Sequence, residues 1–361
     1  MSIPRSVAAK YPWLLAAALI SLFVVTPFPV NGFASKINAQ QPSTTKVDNT
    51  ARGIELYQKG DNIGAIEALR TAVKYQKDDA QAWLFLGLAY MRAGHAKKAR
   101  EAFEKTVRLN PKSAEAHTNW AYTLLLSNKL KEAAREAESA LNINSQIVEA
   151  HYILGMVRFR ERERVNALKE AEAALKLNPD FLPALLLKSQ ALIGTFISES
   201  VFTKASITPR KEAEQIRWSR LKDAAEALEK YISKTPDAAE KEEWREQLEA
   251  LRIYGEASGT ADTGRNLFLF RDVTSKARIL TKPEPDYTEA ARRNGISGTV
   301  ILLAVFAADG KVKHILALQF LPDGLTEKCI NAARNIKFEP AVKDGRPVST
   351  AVQIEYNFNL Y

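Results

Sequence analysis

Few residues of this chain have the chemistry for catalysis or metal binding, and their spacing speaks against both. His117 and His151 are 34 positions apart, and the same step back from His117 reaches Trp83. The three are therefore equivalents in successive copies of one unit. Packed helices lie about 8–10 Å apart, too far for two such rings to share a metal, so repeated packing explains the pair. His95 falls in a turn and His314 on a strand, neither with a ligand cluster nearby. A single cysteine, Cys329, excludes an internal disulfide and any cysteine-built metal site, and it reads as core. There is no nucleophile elbow, no phosphate-cradling glycine loop, no zinc spacing and no recognisable pair of catalytic carboxylates. No cofactor, no metal and no enzymatic activity are expected. The chemistry left to this chain is docking.

The elements that would carry the docking begin with the repeat. Trp83, Leu86, Gly87, Tyr90, Ala99, Phe103 and Pro111 occupy positions 4, 7, 8, 11, 20, 24 and 32 of a unit of about 34 residues. One unit further on lie Ala121, Ala133 and Ala140, and after another Leu154, Gly155, Ala167, Ala174 and Pro179. This pattern resembles the tetratricopeptide (TPR) family, which implies pairs of antiparallel helices stacked into a solenoid. A degenerate first unit over 46–79 keeps Gly53, Ala65, Leu69 and Ala72, and four units run to about residue 181. A fifth starts at Leu182, but its second helix, marked by Ala224, Leu228, Tyr231 and Pro236, comes late. Longer helices or a loop inserted around Ser198 to Pro209 account for the delay. Trp244, Leu248, Leu251 and Tyr254 then mark a capping helix, followed by a Gly, Ser and Thr rich linker over 255–264.

By the geometry of the family the resemblance invokes, positions 5, 9 and 12 line the concave face. They give Leu84, Leu88 and Met91, then Thr118, Tyr122 and Leu125, then Tyr152, Met156 and Phe159. Such a face is apolar and aromatic and suits an apolar peptide or helix. The Lys and Asn pattern with which some repeats clamp a terminal carboxylate is absent. The alternative is that several of these side chains pack within the protein itself.

The net charge of +9 points to nucleic acid only on its face. Lys and Arg are interleaved with Glu and Asp, as in Glu161-Arg-Glu-Arg164, which reads as solvated helix faces, so no nucleic-acid partner is expected. At the N-terminus Arg5 and Lys10 precede an apolar run from Trp13 to Val30, the order of an export signal. Residues 1–34 are read as a signal peptide or a signal anchor. The run is near the minimum for spanning a bilayer, Pro27 and Pro29 interrupt it, and Ala34 and Ala39 offer cleavage sites. A retained inner-membrane anchor is the preferred reading, with a polar tether over 35–47.

The C-terminal region carries a second resemblance. Pro283-Glu-Pro-Asp-Tyr287, Ala290-Ala-Arg292, Gly295, Gly298-Thr-Val300, Asp309-Gly310, Phe338-Glu-Pro340-Ala341 and Gly345-Arg-Pro347-Val348 together resemble the TonB family C-terminal domain. That resemblance implies a small α+β unit of the Gram-negative periplasm that grips partner peptides. The residues themselves predict a short helix opened by Pro285 and Asp286 and stopped by Gly295, and a strand over 299–306 covered on both faces. A hairpin at Asp309-Gly310 leads to a second strand in which Val312, His314, Leu316, Leu318 and Phe320 alternate. A helix over 325–335 buries Cys329, and a last strand runs from Val348 to Leu360. In the resembled family the last strand is an edge to which partners add, which places a candidate rim at Ala351, Val352, Gln353, Ile354, Glu355, Tyr356, Asn357 and Phe358. Self-pairing of that edge into a homodimer is the competing reading.

The expected architecture is mainly α: an N-terminal hydrophobic helix, a TPR α-solenoid over 48–237, a capping helix and linker over 238–277, and a small α+β domain over 278–361. The expected function is that of a periplasmic adaptor for envelope proteins or peptides. The alternative is a TonB-type energy transducer serving outer-membrane receptors, with the repeats as spacer. Against the alternative, no ionisable residue lies between Trp13 and Val30, whereas force-transmitting TonB proteins carry a histidine there.

Overall fold

The computed structural model describes residues 48–202, 210–235, 238–256, 267–268, 272–293, 295–321 and 323–359. The segment read as signal or anchor, the tether, most of the linker, the late part of the loop before Pro209 and Leu360 lie outside the described residues. Among the described residues no helix is long and apolar enough to cross a membrane. They fall into two compact units, one of residues 48–161 with 173–179 and one of residues 162–172 with 180–361.

In the first unit, helices α1 (Asn49–Gln58), α2 (Asn62–Tyr75), α3 (Ala80–Arg92), α4 (Ala96–Leu109), α5 (Ala114–Leu126), α6 (Leu130–Ile143) and α7 (Val148–Arg160) form antiparallel pairs. Their starts are written in the sequence: the carboxylates of Asp48, Asp61 and Asp79 and the hydroxyl of Ser113 each accept a backbone N–H of the following first turn. Small residues sit where the paired helices cross. Ala65, Ala99 and Ala133 are fully buried, and a Cβ on Gly87 would stand 2.5 Å from the Phe103 ring.

The repeated position 4 has a shared role. Trp83 Nε1 donates to the Lys77 carbonyl at 2.9 Å, His117 Nε2 to the Pro111 carbonyl at 3.1 Å, and His151 Nε2 to the Ser145 carbonyl at 3.3 Å. Each ring thus satisfies a carbonyl of the turn six residues earlier, which a metal-bound nitrogen could not do.

The second unit takes in α8 (Arg164–Leu177) through residue 172, and then α9 (Leu182–Phe202), α10 (Arg210–Lys234) and α11 (Ala238–Glu256). The late fifth unit is explained by helix length, since α9 has 21 residues and α10 has 25. Edge-to-face rings join the helices, Phe196 to Trp218 at 5.0 Å and Tyr231 to Trp244 at 6.1 Å.

The strands follow in the same unit: β1 (Leu267–Phe268), β2 (Arg278–Thr281), β3 (Gly298–Phe306), β4 (Val312–Gln319), β5 (Lys337–Glu339), β6 (Ala341–Lys343) and β7 (Arg346–Phe358), with helices α12 (Glu289–Arg293) and α13 (Leu325–Arg334). The main sheet runs β1-β7-β3-β4, with β6 also on β7, while β2 and β5 form a separate two-stranded ribbon. Its core packs Val300, Leu302, Phe306, Cys329, Ala333 and Tyr356 together. Gly295 takes the left-handed conformation expected of a helix stop, φ +65.

Two local expectations are corrected. Asp286 does not open α12; Thr288 does, its hydroxyl accepting from Ala291 N at 3.2 Å and donating to the Asp323 carbonyl at 2.6 Å. The alternation along β4 is broken by a bulge, where His314 has φ +47 and two residues oppose one between the pairs Leu303–Leu316 and Val305–Lys313.

Candidate docking surfaces

The residues counted onto the concave face lie on α3, α5 and α7. Leu84, Met91 and Tyr122 are half-buried, whereas Leu88, Thr118, Leu125, Tyr152, Met156 and Phe159 are buried. Burial pushes the Tyr122 phenol up to about 12. The exposed share of this face is therefore narrower than position counting implies, with its half-buried part at Leu84, Met91 and Tyr122. Two arginines that sequence reasoning passed over bolt the first helices of neighbouring pairs together. Arg92 Nη1 donates to the Tyr57 carbonyl at 2.9 Å with its guanidinium 3.8 Å over the Tyr57 ring, and Arg160 Nη1 donates to the Leu125 carbonyl at 2.7 Å. Their recurrence at a two-unit interval was the signal available in the sequence.

The second candidate surface is the rim of β7. Gly298–Phe306 pair antiparallel with Phe358–Thr350, so one side of this strand is fully used. β6 pairs with Arg346–Val348, and β1 meets the side away from β3 at Ser349 and Thr350. These pairings lie ahead of the candidate rim at Ala351–Phe358. Among the described residues, no strand pairs with that side from Ala351 to Phe358.

Side chains and backbone groups alternate along this stretch in a useful way. Ala351, Ile354, Tyr356 and Phe358 are buried and Val352 partly so, while Gln353, Glu355 and Asn357 are exposed. Lys282 Nζ donates to the Glu355 carbonyl at 2.7 Å, and the Thr299 carbonyl accepts from Gln319 Nε2 at 2.7 Å on the β4 side. Both contacts mean that Glu355 and Asn357 face β3 in non-hydrogen-bonded pairs, so the N–H and C=O groups of Gln353, Glu355 and Asn357 point outward. These are the groups an added strand bonds. Lys282 also lies 4.4 Å over the Tyr356 ring, which fixes the ammonium at the rim.

Two family models match separate stretches of the chain. Residues 65–184 match the cytochrome c-type biogenesis protein H TPR domain, and residues 283–360 match the Gram-negative bacterial TonB protein C-terminal. The chain carries a TPR domain followed by a TonB-type C-terminal domain. Over 96 residues it is 30% identical to Protein TonB of Vibrio cholerae serotype O1 (strain ATCC 39315 / El Tor Inaba N16961), which covers 24% of this chain and 39% of that protein. Among solved structures, MamA is 24% identical, covering 53% of this chain and 98% of its own with a TM-score of 0.41. YrrB, described as a TPR protein with an unusual peptide-binding site, is 17% identical, covering 56% of this chain and 92% of its own, also at 0.41. The TonB-type match takes in the whole of the β7 rim, and β2 lies just ahead of it.

Proposed function

We propose that this protein is an adaptor of the Gram-negative envelope, whose TPR repeats recruit one partner while the TonB-like domain takes a second as an added strand along Ala351 to Phe358. The observation that carries the reading is the row of outward backbone groups at Gln353, Glu355 and Asn357, and the TPR match over residues 65–184 supports a second docking surface. An extended peptide satisfies such a row with little demand on its sequence, while the alternate exposed side chains tune the choice. The role is binding, without turnover. Retention at the inner membrane through residues 1–34 belongs to the same proposal. The likeness to Protein TonB supports a second reading, an energy transducer for outer-membrane receptors in which the repeats serve as spacer. Against it stands the apolar run from Trp13 to Val30, which offers no titratable group.

The test is separability of the two surfaces. Full-length protein carrying Tyr122→Ala on the repeat face, or Gln353→Pro on the rim, is used to capture partners from cross-linked envelopes. Two partner sets lost independently support the adaptor; a single set lost with either change contradicts it. A proton-gradient-dependent uptake defect on deletion favours the transducer.

A further inference from the structure

The sheet of the TonB-like domain is apolar on both faces over β3 and β4, yet its own helices account for one face only. Val312, Ile315 and Ala317 pack on the core under α12 and α13. Alternation sends Leu316 and Leu318, 0% and 1% exposed, to the opposite face beside Leu303. That face is met by α9 and α11, which pack against β4.

One contact at this junction is built from unusual parts. Tyr254, with 0% exposure, donates its hydroxyl to the His314 carbonyl at 2.7 Å. The left-handed conformation of His314 is rare for a residue with a side chain, and here it turns that carbonyl out of the ladder toward α11. Two side-chain contacts flank it: Glu249 Oε1 lies 3.8 Å from His314 Nδ1, and Glu246 Oε2 lies 3.5 Å from Arg334 Nη2. Trp218, whose ring is 6.2 Å from that of Tyr254, backs the tyrosine from α10.

We propose that α9, α10 and α11 are the partner of the sheet's second face, locked at the His314 bulge, so that the terminal helices and the TonB-like domain form one fixed joint rather than two bodies on a tether. The joint packs on the face of β4, the outer strand of the sheet, and takes up the His314 carbonyl that the bulge turns out of the ladder. It goes beyond the adaptor reading, since it holds whatever either surface binds.

A protease site placed at residues 259–262 of the full-length chain tests it. After cleavage the two halves are expected to co-migrate as a 1:1 complex at micromolar concentration, at the position of the uncut protein. Tyr254→Phe is expected to weaken that complex about tenfold on dilution, the worth of one buried hydrogen bond. Glu246→Lys with Glu249→Lys weakens it by a further two- to fivefold, with helix content unchanged by circular dichroism. Halves that separate on cleavage, or a Tyr254→Phe complex as tight as the parent, overturn the proposal.

Discussion

His117 Nδ1 lies 2.8 Å from Glu136 Oε2, and both side chains are buried between α5 and α6. With Nε2 given to the Pro111 carbonyl, the ring meets an acceptor at each nitrogen. Removing one member leaves a buried polar group without its partner. Glu136→Ala is therefore expected to destabilise the protein by about 3 kcal/mol, and His117→Leu with Glu136→Leu by less than the sum of the single changes. Urea titration of the full chain measures both.

Gly87 and Gly94 separate two kinds of glycine cost. At Gly87 an added methyl meets the buried Phe103 ring, so Gly87→Ala forces repacking and costs roughly 1–3 kcal/mol. At Gly94, φ +77, nothing lies within 4 Å, so Gly94→Ala pays backbone strain alone, about 1 kcal/mol. Thermal unfolding should rank Gly87→Ala below Gly94→Ala.

Stability should fall as pH rises, through Glu327. Its side chain is buried at the start of α13, with Oε2 lacking a hydrogen-bond partner, and burial pushes its carboxyl up to about 7. The folded protein holds the proton more tightly than the unfolded chain, in which the group titrates near its ordinary value. Its contribution is thus whole below pH ~4.5 and is lost as pH rises through about 7, a change of up to roughly 3 kcal/mol. Glu327→Gln is expected to be near neutral at pH 4 and stabilising at pH 8, read by denaturant midpoints at the two pH values.

Proline scanning along β7 tests the assignment of its two sides. Gln353 turns its N–H outward, so Gln353→Pro should leave the β3 ladder and the fold intact. Ile354 gives its N–H to β3, so Ile354→Pro should unfold the domain. Amide exchange over Gly298–Phe306 distinguishes the outcomes.

Much of this organisation was legible in the residues. The repeat period located the helices because small residues are demanded wherever two helices cross, as at Ala65 and Ala99. The alternation of Ile354, Tyr356 and Phe358 located the last strand for the same kind of reason, one buried face. What escaped depends on partners distant in sequence. Trp244, Leu248, Leu251 and Tyr254 announced a buried helix face without saying that β4 would cover part of it. Nothing local to Val312–Phe320 betrayed the bulge at His314, because a bulge is set by the partner strand. The burial of Tyr152, Met156 and Phe159 likewise could not be read from repeat positions, which give the direction of a side chain and not what meets it.

The central claim is that the open side of β7 receives a partner strand. A photo-reactive amino acid placed at Asn357 of the full-length protein in living cells measures this directly. A discrete adduct with an envelope protein, lost when Gln353→Pro is added to the folded chain, is the predicted result. No adduct at Asn357, or one that survives Gln353→Pro unchanged, would contradict the account.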